Sequence, residues 1–538
     1  AISAYPLGVR QGSSAKIALR GFNLGSGKVE VKGQPSSEDE HAVIFRPDAP
    51  SGHAFSKVKL ALGNDPEVES SSSNASLSEA QTLALPVTVN GRLDKPANYF
   101  RFKAKKGEKL VLEVAANRLG SPLDSTIEVQ DARGKPVERA TVRCLTETNV
   151  VLRDHDSVAP GIRIQSPLGL AVGDLLMIDS EIVQIDAMPR TPDDDMRFVA
   201  FNGQRQAILD TTSEAHANDS RVYKVQIHPA GAQFASNGLP LVRLAYRNDD
   251  GGPGYEKDSR LNFTAPADGE YFVKLSDVRA LAGEEFAYRL SIHAPAPDFQ
   301  LTVTPRNPNV PVGGRIPLTV TAMRMDGFQG PIDIEVPNLP AGLHATKGVI
   351  AVSQVSTTLL LSADENAKLT RSAAFQLNGS AKIGGKMIVH AVSPGDLLKL
   401  ISVTPRADIL MTSMTREITL EPGGTAEVAV SIQRNNQFGG RVPVEIRNLP
   451  PGVRVLDVGL NGVLLNENEQ TRTFRLEALP SAQPVEQTVY VSGNVETRAG
   501  MTQQNVFAGE PILLRLKAKT QISGGTMPSA FSQPSAVK

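Results

Sequence analysis

The stretch from Leu244 to Ile292, LAYRNDDGGPGYEKDSRLNFTAPADGEYFVKLSDVRALAGEEFAYRLSI, decides the fold class of this chain. It opens with an acidic, glycine-rich loop and continues into runs of alternating apolar residues broken at Pro266-Ala267-Asp268-Gly269. Along GEYFVKLSD, Tyr271, Val273 and Leu275 point one way while Phe272, Lys274 and Ser276 point the other, the period of two that a half-buried strand requires. The same grammar of short strands and turns runs through the rest of the chain. The expectation is an all-β protein, an elongated series of β-sandwiches with a small β subdomain inserted into one of them.

The chain has 538 residues, too many for a single core. Its 56 basic and 57 acidic residues nearly cancel, so nothing marks a nucleic-acid or anionic-membrane surface. The 45 glycines and 37 prolines are spread along the chain, as turns between strands would be. Tryptophan is absent and aromatics total 5%, which counts against a polysaccharide-binding module built on aromatic platforms. The single cysteine, Cys144, excludes an intrachain disulfide and a cysteine-rich zinc site, and is read as a small buried hydrophobe. No apolar run approaches the roughly 20 residues that span a bilayer. Export to the periplasm, the cell surface or the medium, with a leader removed before Ala1, is an inference from class.

Residues 1–64 read as a small sandwich with strands at Ala15–Leu19, Lys28–Val31, His41–Phe45 and Ser56–Leu62. Its Gly21-Phe22-Asn23-Leu24-Gly25 phrase resembles the IPT/TIG type of immunoglobulin-like domain. Residues 65–84 are serine-rich and polar, the composition of a solvated linker. Residues 85–139 and 241–297 carry the phrases VNGRLDKPANYFRFKAKKGEKLVLEV, GSPLDSTIEVQDARGK, NDDGGPGYEKDSRLNFTAPADGEYFVKLSD and YRLSI. Together they resemble the bacterial pre-peptidase C-terminal (PPC) domain in the form common in planctomycete surface proteins. Asn98 stands where that family has an acidic residue, and Glu67 to Ser70 replaces its usual opening phrase.

Between the two blocks, residues 140–240 read as an inserted β subdomain, with a hairpin Leu175–Ile178, turn Asp179-Ser180, and Glu181–Ile185, and a later strand Arg221–Ile227. An elaboration on a common scaffold is the natural place for a special function. From residue 298 the chain repeats. Gly314, Phe328, Gly330 and Asn338-Leu339-Pro340 recur without a gap as Gly424, Phe438, Gly440 and Asn448-Leu449-Pro450, and Thr304-Pro305-Arg306 recurs as Thr404-Pro405-Arg406. Residues 298–397 and 398–519 are therefore two tandem immunoglobulin-like sandwiches, with N-L-P-x-G as a turn. They resemble the Ig-like domains that accompany PPC domains. The polar tail 520–538 is expected to be flexible.

Few residues offer chemistry. Asp249, Asp250 and Asp258 lie in the glycine-rich loop with Asn248, and Asp124 and Asp277 can approach; calcium needs six to eight such oxygens. Structural calcium and a solvated loop of Asx-turns are the competing readings. Asp193-Asp194-Asp195 reads as an exposed acidic turn. His155, His216 and His228 have carboxylates nearby in sequence (Asp154, Asp156, Glu214) but no spacing of a zinc site. No G-x-S-x-G, P-loop or dinucleotide fingerprint is present.

The preferred function is a non-catalytic secreted or surface structural and interaction protein, pairing through sheet edges and faces with extracellular or envelope proteins or with itself. The alternative is the accessory region of an exported hydrolase such as a peptidase. Glycan binding through tyrosines of the insertion, and catalysis by converging histidines there, are further readings.

Overall fold

The computed structural model describes residues 3–518 apart from 26, 37–38, 40, 51, 152–160, 190–193, 202, 213–214, 353, 369–371, 393–399, 457–462 and 499–500. Almost every regular element is a strand; the described helical turns are the 3-10 segments Leu77–Glu79 and Asn117–Leu119. The class is all-β, built as β-sandwiches. Two compact units divide the chain, 1–407 and 408–538.

The first unit opens with two three-stranded sheets, one from Ser3–Tyr5, Ser14–Arg20 and Lys28–Lys32, the other from Gly8–Arg10, Val58–Gly63 and Ala42–Phe45. Ala4, Ile17, Leu19, Val31, Val58 and Leu60 make their shared core.

The next sandwich has two five-stranded sheets. One runs Gln81–Thr82, Asn98–Ala104, Gly269–Asp277, Ser125–Gln130, Arg247–Asn248; the other Arg260–Thr264, Lys109–Ala115, Ala287–His293, Val87–Arg92, Glu67–Glu69. Strands from before and after the insertion interleave in both, so each sheet is completed only by the two blocks together. Tyr271, Val273 and Leu275 enter the core as the alternation requires, beside Phe100, Phe102, Phe263 and Tyr288. Phe272, on the opposite face, is buried as well.

Residues 65–84 correct the expectation of a linker. Glu67–Glu69 pairs in parallel with Val87–Arg92 and Gln81–Thr82 in parallel with Asn98–Ala104, so the segment lines both sheets. Its serines and asparagines serve as local partners instead of solvated spacers. Asn98 Nδ2 donates to Tyr288 Oη at 2.9 Å and to Ser70 Oγ at 3.2 Å, and Asn74, itself buried, donates to the same Ser70 Oγ. Polar composition alone does not distinguish such a network from a solvated tract.

The insertion forms a seven-stranded sheet in the order Gly161–Ile162, Met196–Phe198, Glu181–Ala187, Leu175–Ile178, Arg221–Pro229, Glu138–Asn149, Leu241–Ala245. The hairpin falls at the expected turn, pairing Ile178 with Glu181 and placing Asp179 at φ 50°. Apolar clusters cover both faces, one around Leu176, Ile185 and Phe198, the other around Cys144, Ile182 and Val225. Cys144 is buried as expected, and burial followed by the charge of Glu147 pushes its thiol pKa up.

In the first repeat, Asp298–Thr304, Arg315–Met325, Ser356–Ala363 and Leu343–Ala345 face Gly348–Ile350, Ile332–Glu335, Asn378–Ile383 and Lys386–Ala391. The second unit has the corresponding sheets, Ile409–Ser413, Thr425–Arg434, Thr471–Ala478, Val453–Leu456 against Glu417–Leu420, Ile512–Leu516, Val485–Arg498, Val442–Arg447, Val463–Leu465. One reading changes. Leu400–Thr404 pairs in parallel with Asn309–Pro311, the role that Ile512–Leu516 plays beside Glu417–Leu420, so it closes the first repeat. Residues 400–407 therefore belong with the sandwich before them, and the second T-P-R phrase ends a repeat where the first ends an opening strand.

The residues shared by the repeats have one job. Arg324 donates to the carbonyl of Gly330 at 3.2 Å and that of Ala351 at 2.9 Å, with its guanidinium 5.9 Å from the Phe328 ring centre. Arg434 donates to the carbonyls of Gly440 at 2.6 Å and Asn466 at 2.8 Å, 5.5 Å from Phe438. Asn338 and Asn448 adopt φ of 54° and 65°, the left-handed turn conformation that asparagine tolerates.

Candidate functional site

The acidic loop is placed first, since it holds the sequence's metal candidates. Asp258 is fully buried, and its carboxylate accepts hydrogen bonds from the backbone N–H groups of Ala116 (3.0 Å), Asn117 (2.6 Å) and Arg118 (3.3 Å) and from the Arg118 guanidinium (2.9 Å). Burial raises its pKa, and Arg118 and the three amides pull against that rise. Asp249 accepts from the Thr212 hydroxyl, a residue of the insertion. The backbone carbonyl of Asp250 accepts from Asn248 Nδ2 at 2.8 Å. Asp124 takes Lys257 at 2.8 Å, and Asp277 takes Arg279 at 2.7 Å and the N–H of Asp124 at 2.9 Å.

The side chains of Asp124, Asp249, Asp258 and Asp277 thus hold separate partners. Among the described residues, no three His, Cys, Asp or Glu side chains stand together as a metal-ion donor set. The loop does structural work through Arg118, which also pairs with Glu113; Glu113 pairs with Arg260 at 3.4 Å, and Arg260 with Asp326 of the first repeat. Both guanidiniums stand near the Tyr255 ring, Arg118 at 5.1 Å and Arg260 at 5.4 Å from its centre, and the Tyr255 hydroxyl pKa is pushed up to about 12 by burial and then by Glu113. The network fastens the sandwich loop to the sandwich that follows.

The second constellation lies in the insertion, and sequence reading found one member of it. His216 Nε2 is 2.6 Å from Glu181 Oε2, its Nδ1 is 3.0 Å from Asp179 Oδ2, and Arg205 Nε donates to Glu181 Oε1 at 3.1 Å. The side chains of Glu181, Arg205 and His216 have 0% exposure. Burial disfavours the charged imidazole, but the hydrogen bonds to Glu181 and Asp179 outweigh it and raise the His216 pKa. The hairpin explains the convergence: its turn brings Asp179 and Glu181 to one end, and the strand entering at Arg221 carries His216 just ahead of it. Glu181 gave no signal because it looks like any polar strand residue.

His228 does not join them. It lies six strand residues beyond Val222, roughly 20 Å along the chain, with its ring 4.5 Å from that of Phe234. His155 and Asp193 lie outside the described residues, and Asp195 pairs with Arg163 at 3.4 Å. A cleft of about 410 Å³ opens between Asp186, Ala200 and Gly203 of the insertion and Thr304, Thr321, Val355 and Ser356 of the first repeat. Its lining mixes the apolar Ala200 and Val355 with three hydroxyls and one carboxylate, without a histidine or cysteine.

No protein-family model matches this chain, and no curated protein matches it by sequence. Among solved structures, the fibronectin(III)-like modules of Clostridium thermocellum CbhA are 8% identical, covering 43% of this chain and 100% of theirs, TM-score 0.13. The D00–D0 domain of intimin is 11% identical over 40% of this chain and 99% of its own, TM-score 0.15. Domains 4 and 5 of the S-layer protein SbsC are 13% identical over 41% and 99%, TM-score 0.14. The fold class rests on the sheets described above rather than on these overlaps. No helix among the described residues is long and apolar enough to cross a membrane.

Proposed function

We propose that this chain is a non-catalytic structural and interaction protein of a bacterial exterior, secreted or held at the cell surface, whose β-sandwiches present faces and edges to other proteins. The observation that carries the proposal is the sealed state of the Glu181–His216–Arg205 set. Glu181, Arg205 and His216, residue types of a hydrolytic centre, are fully buried side chains joined through the Glu181 carboxylate, and the half-exposed Asp179 takes the other imidazole nitrogen. Such a set stabilises a fold and offers nothing to a substrate. The acidic loop is likewise committed to amides, guanidiniums and a hydroxyl.

The PPC resemblance of residues 85–139 and 241–297 belongs to the same proposal. Two sheets that interleave strands from both blocks support reading them as one module carrying an insertion. Native isolation from the protein's own cells, without denaturant, tests the proposal by mass and partner inventory. A homomeric or heteromeric assembly of envelope proteins supports it. A monomer that co-purifies with a hydrolase replaces it with the accessory-region reading.

A further inference from the structure

We infer that the cleft between the inserted subdomain and the first repeat binds a small hydroxylated organic cation, an amino sugar by chemical class. Its ammonium group pairs with Asp186, and its hydroxyls meet Thr304, Thr321 and Ser356. The inference goes beyond the surface-protein reading above and does not rest on it. Both walls of the cleft belong to one compact unit, 1–407.

Strand alternation dictates the wall that the repeat supplies. Val303, Val320 and Ala322 are buried in the core, so Thr304 and Thr321 take the other face. Thr321 is the register partner of Ser356, and Thr304 lies opposite Thr319, two residues along the same strand face. Three hydroxyls therefore stand on one face of one sheet. The facing wall is the hairpin that pairs Ala200 with Arg205 and Phe201 with Gln204, with Gly203 at φ 84° in its turn. Arg205 is held to Glu181 at 3.1 Å, so the buried charge set fixes this wall in place. Asp186 completes the lining. It is the extra residue of a β-bulge, since Ile185 pairs with Phe198 and Ala187 with Arg197, and a bulge re-aims a side chain out of the strand's alternation.

The polar groups of this cleft differ from those of the acidic loop in being uncommitted. No hydrogen bond or ion pair to a described residue engages the Asp186 carboxylate or the hydroxyls of Thr304, Thr321 and Ser356. Asp186 is open to the cleft, yet burial among its walls pushes its pKa up against the opposing pull of Arg197. A carboxylate crowded by protein and without an ion-pair partner is the group that gains most from a bound cation.

Size and charge narrow the ligand. A volume of about 410 Å³ is that of a small-molecule site and holds roughly a dozen waters, far more than a bare ion needs. The one ionisable group in the lining is an anion, which disfavours an anionic ligand and selects a cation. The three hydroxyls both donate and accept, as the ring hydroxyls of a sugar do. Ala200 and Val355 give the C–H face of a sugar ring an apolar contact without an aromatic platform.

The test is isothermal titration calorimetry of the full chain with D-glucosamine and D-galactosamine, set against D-glucose and n-butylammonium. At least one amino sugar is expected to bind. Glucose, which lacks the charge, and butylammonium, which lacks the hydroxyls, should each bind roughly tenfold or more weaker. Asp186→Asn, at an exposed position, should lower amino-sugar affinity roughly tenfold or more, and Thr321→Val, close in shape, roughly threefold or more. Ser356→Phe fills the cleft while leaving the carboxylate in place; it should abolish binding and covers the case in which the Asp186 variant unfolds. Failure of both amino sugars to bind, binding indifferent to the Asp186 and Ser356 variants, or glucose or butylammonium binding as tightly as the amino sugars overturns the inference. Native isolation reads the surface-protein proposal separately, since assembly with other proteins can persist when this cleft proves empty of function.

Discussion

Glu181 Oε2 and His216 Nε2 lie 2.6 Å apart with neither side chain exposed, and Arg205 holds the other carboxylate oxygen of Glu181 at 3.1 Å. A carboxylate between two cations, with Asp179 on the far side of the imidazole, is a closed charge balance inside a β-sheet subdomain. Its consequences can be measured.

The first concerns pH. The folded state raises the pKa of His216 above its unfolded value, so the imidazolium stabilises the fold fully below the unfolded pKa, and that contribution is lost as pH rises through the folded pKa. The thermal midpoint of the native chain minus that of His216→Gln should therefore fall as pH rises from the unfolded pKa upward. A difference that is flat, or that grows with pH, contradicts the assignment.

Breaking the pair from the other side should cost more. Glu181→Gln removes the carboxylate charge that buried Arg205 and the Nε2 side of His216 share, leaving Asp179 on Nδ1, and loss of one partner of a buried pair costs about 3–5 kcal/mol. Hydrogen exchange should show faster amide exchange in Glu181–Ala187 and Arg221–Pro229, while Gly269–Asp277 of the host sandwich retains its protection.

Asp258 offers a sharp contrast with calcium binding. Asp258→Ala removes the acceptor of three backbone N–H groups and of Arg118, which should lower stability by roughly 2–4 kcal/mol. Saturating calcium should move the thermal midpoint of the native chain by less than about 1 °C, since a ligand that does not bind the native state adds nothing to its stability. A calcium-dependent rise of several degrees, abolished by Asp249→Asn, would restore the loop as an ion site.

The repeats supply a matched pair. Arg324→Met and Arg434→Met each remove a guanidinium that caps several carbonyls and lies near an aromatic ring, and each should cost roughly 1–3 kcal/mol. Because the residues fall in different compact units, the double variant should show the sum of the two losses in urea denaturation.

Much of the fold was legible in the sequence. The alternation of Tyr271, Val273 and Leu275, the Asp179-Ser180 turn, and the recurrence of Phe328-x-Gly330 as Phe438-x-Gly440 are local signals, set by side-chain period, turn conformation and repetition. These fixed the all-β class and the tandem repeats. Other features depend on which distant strands pair, and a sequence read residue by residue carries no mark of that. Ser70 and Asn74 look like linker residues until Tyr288 and Asn98 close around them. Leu400–Thr404 changes repeats because it pairs in parallel with Asn309–Pro311. Asp258 reads as one more loop carboxylate until the fold sets three amides and Arg118 around it. Glu181 and Arg205 become partners of His216 only when the hairpin and the strand from Arg221 share one sheet, for burial and hydrogen bonding are properties of contacts that the tertiary fold alone creates.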